Sequence, residues 1–94
     1  MDRLEEAVVR AEKAKQVLGS QVFDDAFSDT RQDILEALAK MDNIRSEQAE
    51  DLHRMLKCLG RVKRCLEIHI ETGQLATKEI EGRQRMNLNP FKRV

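Results

Sequence analysis

Apolar side chains recur at three- and four-residue steps along most of this chain, the spacing of one face of an α-helix. The longest such run lies between Ser46 and Gly73. It places Leu52, Met55, Leu56, Leu59, Val62, Leu66 and Ile70 on a single face. Ser46 is the predicted N-cap, because its hydroxyl can accept a bond from an unpaired first-turn N–H. Glu47, Glu50 and Asp51 come next and set negative charge at the positive end of the helix dipole. Gly73 suits the left-handed residue that ends many helices. The pattern therefore predicts a helix over 46–72, about 40 Å long at about 1.5 Å per residue. Gly60 costs it about 1 kcal/mol relative to alanine. It marks either the close approach of a second helix or a plain surface position.

Two shorter runs precede it. Residues 2–18 step through Leu4, Ala7, Ala11, Ala14 and Leu18, a heptad-like seam whose alanines allow close helix–helix contact. Gly19 is the expected stop, and Ser20 can cap the second helix. Residues 21–41 carry a stripe of Phe23, Phe27, Ile34, Leu38 and Met41. Thr30 and Arg31 interrupt this stripe, so a helix restarting near Ser28 and Asp29 is the alternative to one continuous helix. The connection at 42–45 is short, which favours antiparallel packing of the second helix on the third. Residues 74–81 read either as a short helix anchored by Leu75 and Ile80 or as a continuation through Gly73. Residues 82–94 lack periodicity and read as an extended tail, with turn formers Asn87, Asn89 and Pro90.

The fold class is all-α. The expected form is a three-helix bundle, or a long helical hairpin with a short N-terminal helix packed on it, over 1–81. Packing or oligomer contacts are expected from Leu4, Ala11, Leu18, Phe23, Phe27, Ile34, Leu38, Leu52, Leu56, Leu59 and Leu66. A composition of 40% hydrophobic and 36% charged residues, with one Pro, agrees with a soluble helical domain. With 94 residues the core is modest, so stability points to an oligomer. No apolar run is long enough to span a membrane and no signal-peptide pattern is present, so the expected setting is a cytoplasm or a particle assembled in one.

Net charge is zero, but unevenly spread. Four of the 17 basic residues, Arg83, Arg85, Lys92 and Arg93, lie in 82–94, which hold no acid; 1–81 then carry 13 basic against 17 acidic residues. On the third helix Arg54, Lys57, Arg61 and Arg64 step by 3, 4 and 3 along one face, with Lys63 nearby and no acid from His53 to Arg64. Such a stripe, with the basic tail, can bind phosphates or an acidic protein. Its bland alternatives are pairing with the acidic second helix and plain solvation. No aromatic interleaves it, which argues against stacking on single strands.

No catalytic set emerges. There is no phosphate-binding glycine loop, Cys-x-x-Cys pair or His-Glu-x-x-His motif, so neither an enzyme activity, a small-molecule substrate nor a cofactor is expected. Cys65 and His69 could reach one metal ion from a single face, but nothing completes the ligand set. Cys58 and Cys65 are roughly 10 Å apart by helical rise, too far for an intrachain bridge, and read as reduced, partly buried thiols. Asp25, Asp29 and Asp33 step by four and read as a solvated acidic face.

Three stretches carry a family resemblance: Ala11-Glu12-Lys13-Ala14-Lys15-Gln16-Val17-Leu18-Gly19, Val22-Phe23-Asp24-Asp25-Ala26-Phe27 and Ile70-Glu71-Thr72-Gly73-Gln74-Leu75-Ala76. With the long basic amphipathic helix between them, the chain resembles the small helical proteins of tailed-bacteriophage genomes. The resemblance implies a non-enzymatic role in virion assembly or DNA packaging, within the host cytoplasm or the virion. The expected partners are a second copy of the chain or a larger phage or host protein. DNA is the alternative partner, in a role like that of a small terminase subunit. A further alternative is a small inhibitor of a host or defence protein, with Asp24, Asp25, Asp29 and Asp33 presenting a nucleic-acid-like surface.

Overall fold

A computed structural model describes residues 1–88. Among them are three α-helices and no strand: α1 (Arg3–Leu18), α2 (Gln21–Ala39) and α3 (Glu47–Leu88). Each begins on a side chain that caps it. Asp2 Oδ1 accepts from the Glu5 N–H at 2.8 Å, Ser20 Oγ from the Phe23 N–H at 3.4 Å, and Ser46 Oγ from the Ala49 N–H at 3.2 Å. Removing such a cap costs about 1 kcal/mol. Ser46→Ala is therefore expected to lower stability by about that amount in urea unfolding followed by circular dichroism.

Helix α2 is continuous through Ser28 and Thr30. The Thr30 hydroxyl donates to the Ala26 carbonyl oxygen at 2.8 Å, so the polar interruption of the stripe is absorbed within the helix. The helix ends at Ala39, two residues before the expected end. The Lys40 N–H bonds back to the Glu36 carbonyl oxygen and the Met41 N–H to that of Leu38. Asn43 then organises the turn, its Oδ1 accepting from the Arg45 N–H at 3.0 Å.

Helix α3 departs most from expectation. It does not end at Gly73 but continues through it, the alternative reading of residues 74–81, and runs on to Leu88, taking in residues 82–88 of the expected extended tail. No described glycine has positive φ, so Gly73 is not a left-handed cap. It is a buried helical residue where α1 comes close: a Cβ placed there would collide with the Ala11 Cβ and lie 3.1 Å from the Ala7 carbonyl oxygen. Gly60, the other candidate for close approach, faces open space. Past Gly73 the helix keeps its apolar spacing, with Ala76 buried and Ile80 half-buried. The Arg83 guanidinium meets the Glu79 carboxylate one turn back at 3.4 Å. Lys92 and Arg93, with Phe91 and Val94, lie outside the described residues.

The chain divides into two compact units. One is Met1–Gln16 with α3 from Leu66 onward; the other is Val17–Cys65, holding α2 and the first part of α3. In the second unit α2 and α3 run antiparallel. Phe23 and Phe27 lie against Leu59 and Val62, whereas Ile34, further along α2, lies beside Met55. Of the expected packing residues Ala11 and Ile34 are buried, and Leu4, Leu18, Phe23, Phe27, Leu38, Leu52, Leu56, Leu59 and Leu66 are half-buried. The fully sheltered set is small in volume: Ala11, Ala14, Ala49, Ala76, Gly73 and one larger side chain, Ile34.

Candidate interaction surfaces

The α2/α3 hairpin leaves an apolar furrow along one flank. Its larger part, about 310 Å³, is lined by Thr30, Ile34, Met55, Cys58, Leu59 and Val62. A hollow of about 200 Å³ continues it past Phe23, Ala26 and Phe27, sharing Thr30, Leu59 and Val62. The reason is geometric. The apolar stripe of α3 is wider than one partner helix can cover, so Leu59 turns toward α2 while Met55 and Val62 stay 51% and 55% exposed. Ile34 closes the floor. Met55 and Val62 belong to the predicted apolar face; that one flank of this face is uncovered was not expected.

Charged residues of opposite sign stand one helical turn from lining residues on the two helices of the furrow. Helical neighbours lie three and four residues apart. On α2, Asp29 and Asp33 are three residues beyond Ala26 and Thr30. On α3, Arg61 is three residues beyond Cys58 and Arg54 four before it. Asp29, Asp33 and Arg61 are exposed and form no ion pair among the described residues.

The basic stripe is only partly available. Arg54 reaches back along its own helix to Asp51 at 2.6 Å and Glu50 at 3.6 Å, and Arg64 is also engaged. Lys63, near the stripe but not part of it, faces α2. Its Nζ sits 5.2 Å from the centre of the Phe27 ring, a cation–π contact that ties α3 to α2. Phe27 is steadied in turn by Phe23, with ring centres 6.2 Å apart. Lys57 and Arg61 remain as exposed cations without an ion pair among the described residues. In the other unit Arg83 is paired with Glu79 and Arg85 is exposed.

Both thiols are exposed and free, rather than partly buried as expected. Cys58 lines the apolar furrow, and Cys65 follows two turns along α3. No group of three or more His, Cys, Asp or Glu side chains converges among the described residues. None of the helices there is long and apolar enough to cross a membrane. Comparison with protein-family models, curated proteins and solved structures finds no match to this chain.

Proposed function

We propose that this chain is a non-enzymatic interaction protein that self-associates through its helices and serves in the assembly of a tailed-phage virion. One observation carries the self-association: large apolar side chains of the packing face stay half or more exposed while the sheltered interior is mostly alanine. An interior this thin leaves little margin over the conformational entropy of ordering 94 residues. A second copy or a larger helical partner supplies the missing cover. The phage setting is supported by the resemblance of the three stretches named above. The test is mass in solution by light scattering after size exclusion. A defined oligomer, indifferent to duplex DNA, is the expected result; a monomer at every concentration overturns self-association.

A second reading, a DNA-packaging accessory, is favoured by Lys57 and Arg61, which stand exposed in a stretch with no acid from His53 to Arg64. It requires salt-sensitive binding that is little dependent on sequence. Lys57→Glu with Arg61→Glu would then weaken duplex binding and lower the salt slope by roughly 1.8, about 0.9 per phosphate contact. Unchanged binding by the double variant, measured by fluorescence anisotropy across a salt series, removes this reading.

A further inference from the structure

We infer that the α2/α3 furrow is covered by the same furrow of a second copy, related by a twofold axis, so that α2 of each copy lies along α3 of the other. The inference rests on the self-association reading and names the surface that performs it. The furrow floor is apolar and open, with Met55 and Val62 each about half exposed. A twofold contact joins a surface to itself, so a patch must be complementary to its own rotated image. This one is. One turn from its lining residues, and so taken as its lips, α2 carries Asp29 and Asp33 and α3 carries Arg54 and Arg61, all exposed.

Laying α2 on the partner's α3 sets carboxylates against guanidiniums at both lips. The alternative twofold pairing, α3 on α3, would set Arg54 and Arg61 against their own copies and is disfavoured by like charge. Arg54 is held only by exposed carboxylates of its own helix, pairs of 66% and 56% or 62% side-chain exposure that give way at little cost. The lengths also agree: α2 has 19 residues, and residues 47–65 of α3 match it. Two helices about 28 Å long and about 10 Å wide present roughly 560 Å² per copy, about 1,100 Å² in all. That just clears the about 1,000 Å² that a biological interface needs and lies at the small end of specific interfaces.

Charge reversal tests it on the full chain. The acidic lip is reversed in Asp29→Lys with Asp33→Lys, and the basic lip in Arg54→Glu with Arg61→Glu. Each double variant alone faces like charges at both lips and is expected to self-associate at least about tenfold more weakly. An equal mixture of the two restores opposite charges at every lip and is expected to regain the wild-type mass. Wild-type mass in either double variant alone, or a mixture of two folded variants that stays monomeric, overturns the furrow contact while leaving self-association standing. A wild-type chain that is itself monomeric, as it would be if a different protein occupied the furrow, overturns both.

A second measurement needs no charge change. In a Cys65→Ser chain, Cys58 in the furrow is the single thiol, and its maleimide labelling is expected to slow as protein concentration rises. A labelling rate independent of concentration overturns the contact.

Discussion

Ile34→Asp is expected to unfold the α2/α3 hairpin. Ile34 is 5% exposed and is the one large side chain buried among the described residues; the others are four alanines and Gly73. It closes the furrow floor against Met55, Cys58, Leu59 and Val62, none of which offers a cation. The substitution removes the transfer free energy of the buried side chain and leaves a carboxylate without a partner. Such uncompensated buried charges cost about 3–5 kcal/mol. A domain of this size has about 5–14 kcal/mol in total by the usual per-residue stability, and this one lies toward the lower end because its interior is thin. Ile34→Ala removes the side chain without adding charge and should cost about 2–4 kcal/mol. Val22→Asp on the same helix, at a position 77% exposed, should stay within about 0.5 kcal/mol. Urea titration followed by circular dichroism ranks the three. Equal midpoints for Ile34→Asp and Val22→Asp would show that Ile34 is not the keystone of the hairpin.

The second large effect is a difference in sign between two glycines of one helix. Gly73→Ala is expected to destabilise the unit that holds α1, and Gly60→Ala to stabilise the chain. Alanine gains about 1 kcal/mol over glycine in a helix interior. At Gly60 nothing lies within 4 Å of the new methyl group, so that gain is realised. At Gly73 the methyl group collides with the Ala11 Cβ and presses on the Ala7 carbonyl oxygen, a backbone atom that cannot rotate aside. Overpacking costs about 1–3 kcal/mol, which outweighs the propensity gain. Gly73→Leu should displace α1 altogether. Adding Ala11→Gly to Gly73→Ala removes the colliding methyl and should recover part of the loss. That coupling is what a double-mutant cycle reads. Additive effects of the two substitutions would show that α1 does not approach α3 at this position.

Much of this fold was legible in the pattern of apolar residues. Three helices, the caps at Ser20 and Ser46 and the antiparallel hairpin of α2 and α3 arise from spacing and local hydrogen bonding. The cap at Asp2 was missed, although its signal stands in the Asp-x-x-Glu arrangement at the start of α1. What spacing could not convey is tertiary. Gly73 and Gly60 look alike in a sequence. Only the course of α1, with Ala7 and Ala11 against it, makes one a packing site and leaves the other on the surface. Expecting a stop at Gly73 treated glycine as a local signal where a neighbouring helix decides. Lys63 shows the same limit: the sequence places it near the basic stripe, and only the fold sets its ammonium over the Phe27 ring. For the candidate site, both the charged residues and the apolar face were readable. That one flank of the face stays uncovered depends on how far α2 can reach across it.

The furrow contact is tested most directly by sedimentation equilibrium of the wild-type chain and of Val62→Asp over a range of concentrations. Val62 is 55% exposed in the single chain and lines the furrow, so a charge there costs little in the isolated fold and much in the proposed contact. Twice the chain mass is expected for the wild type and the single mass for Val62→Asp, with the helical circular dichroism unchanged. A single mass for both, or the same oligomer for both, would contradict it.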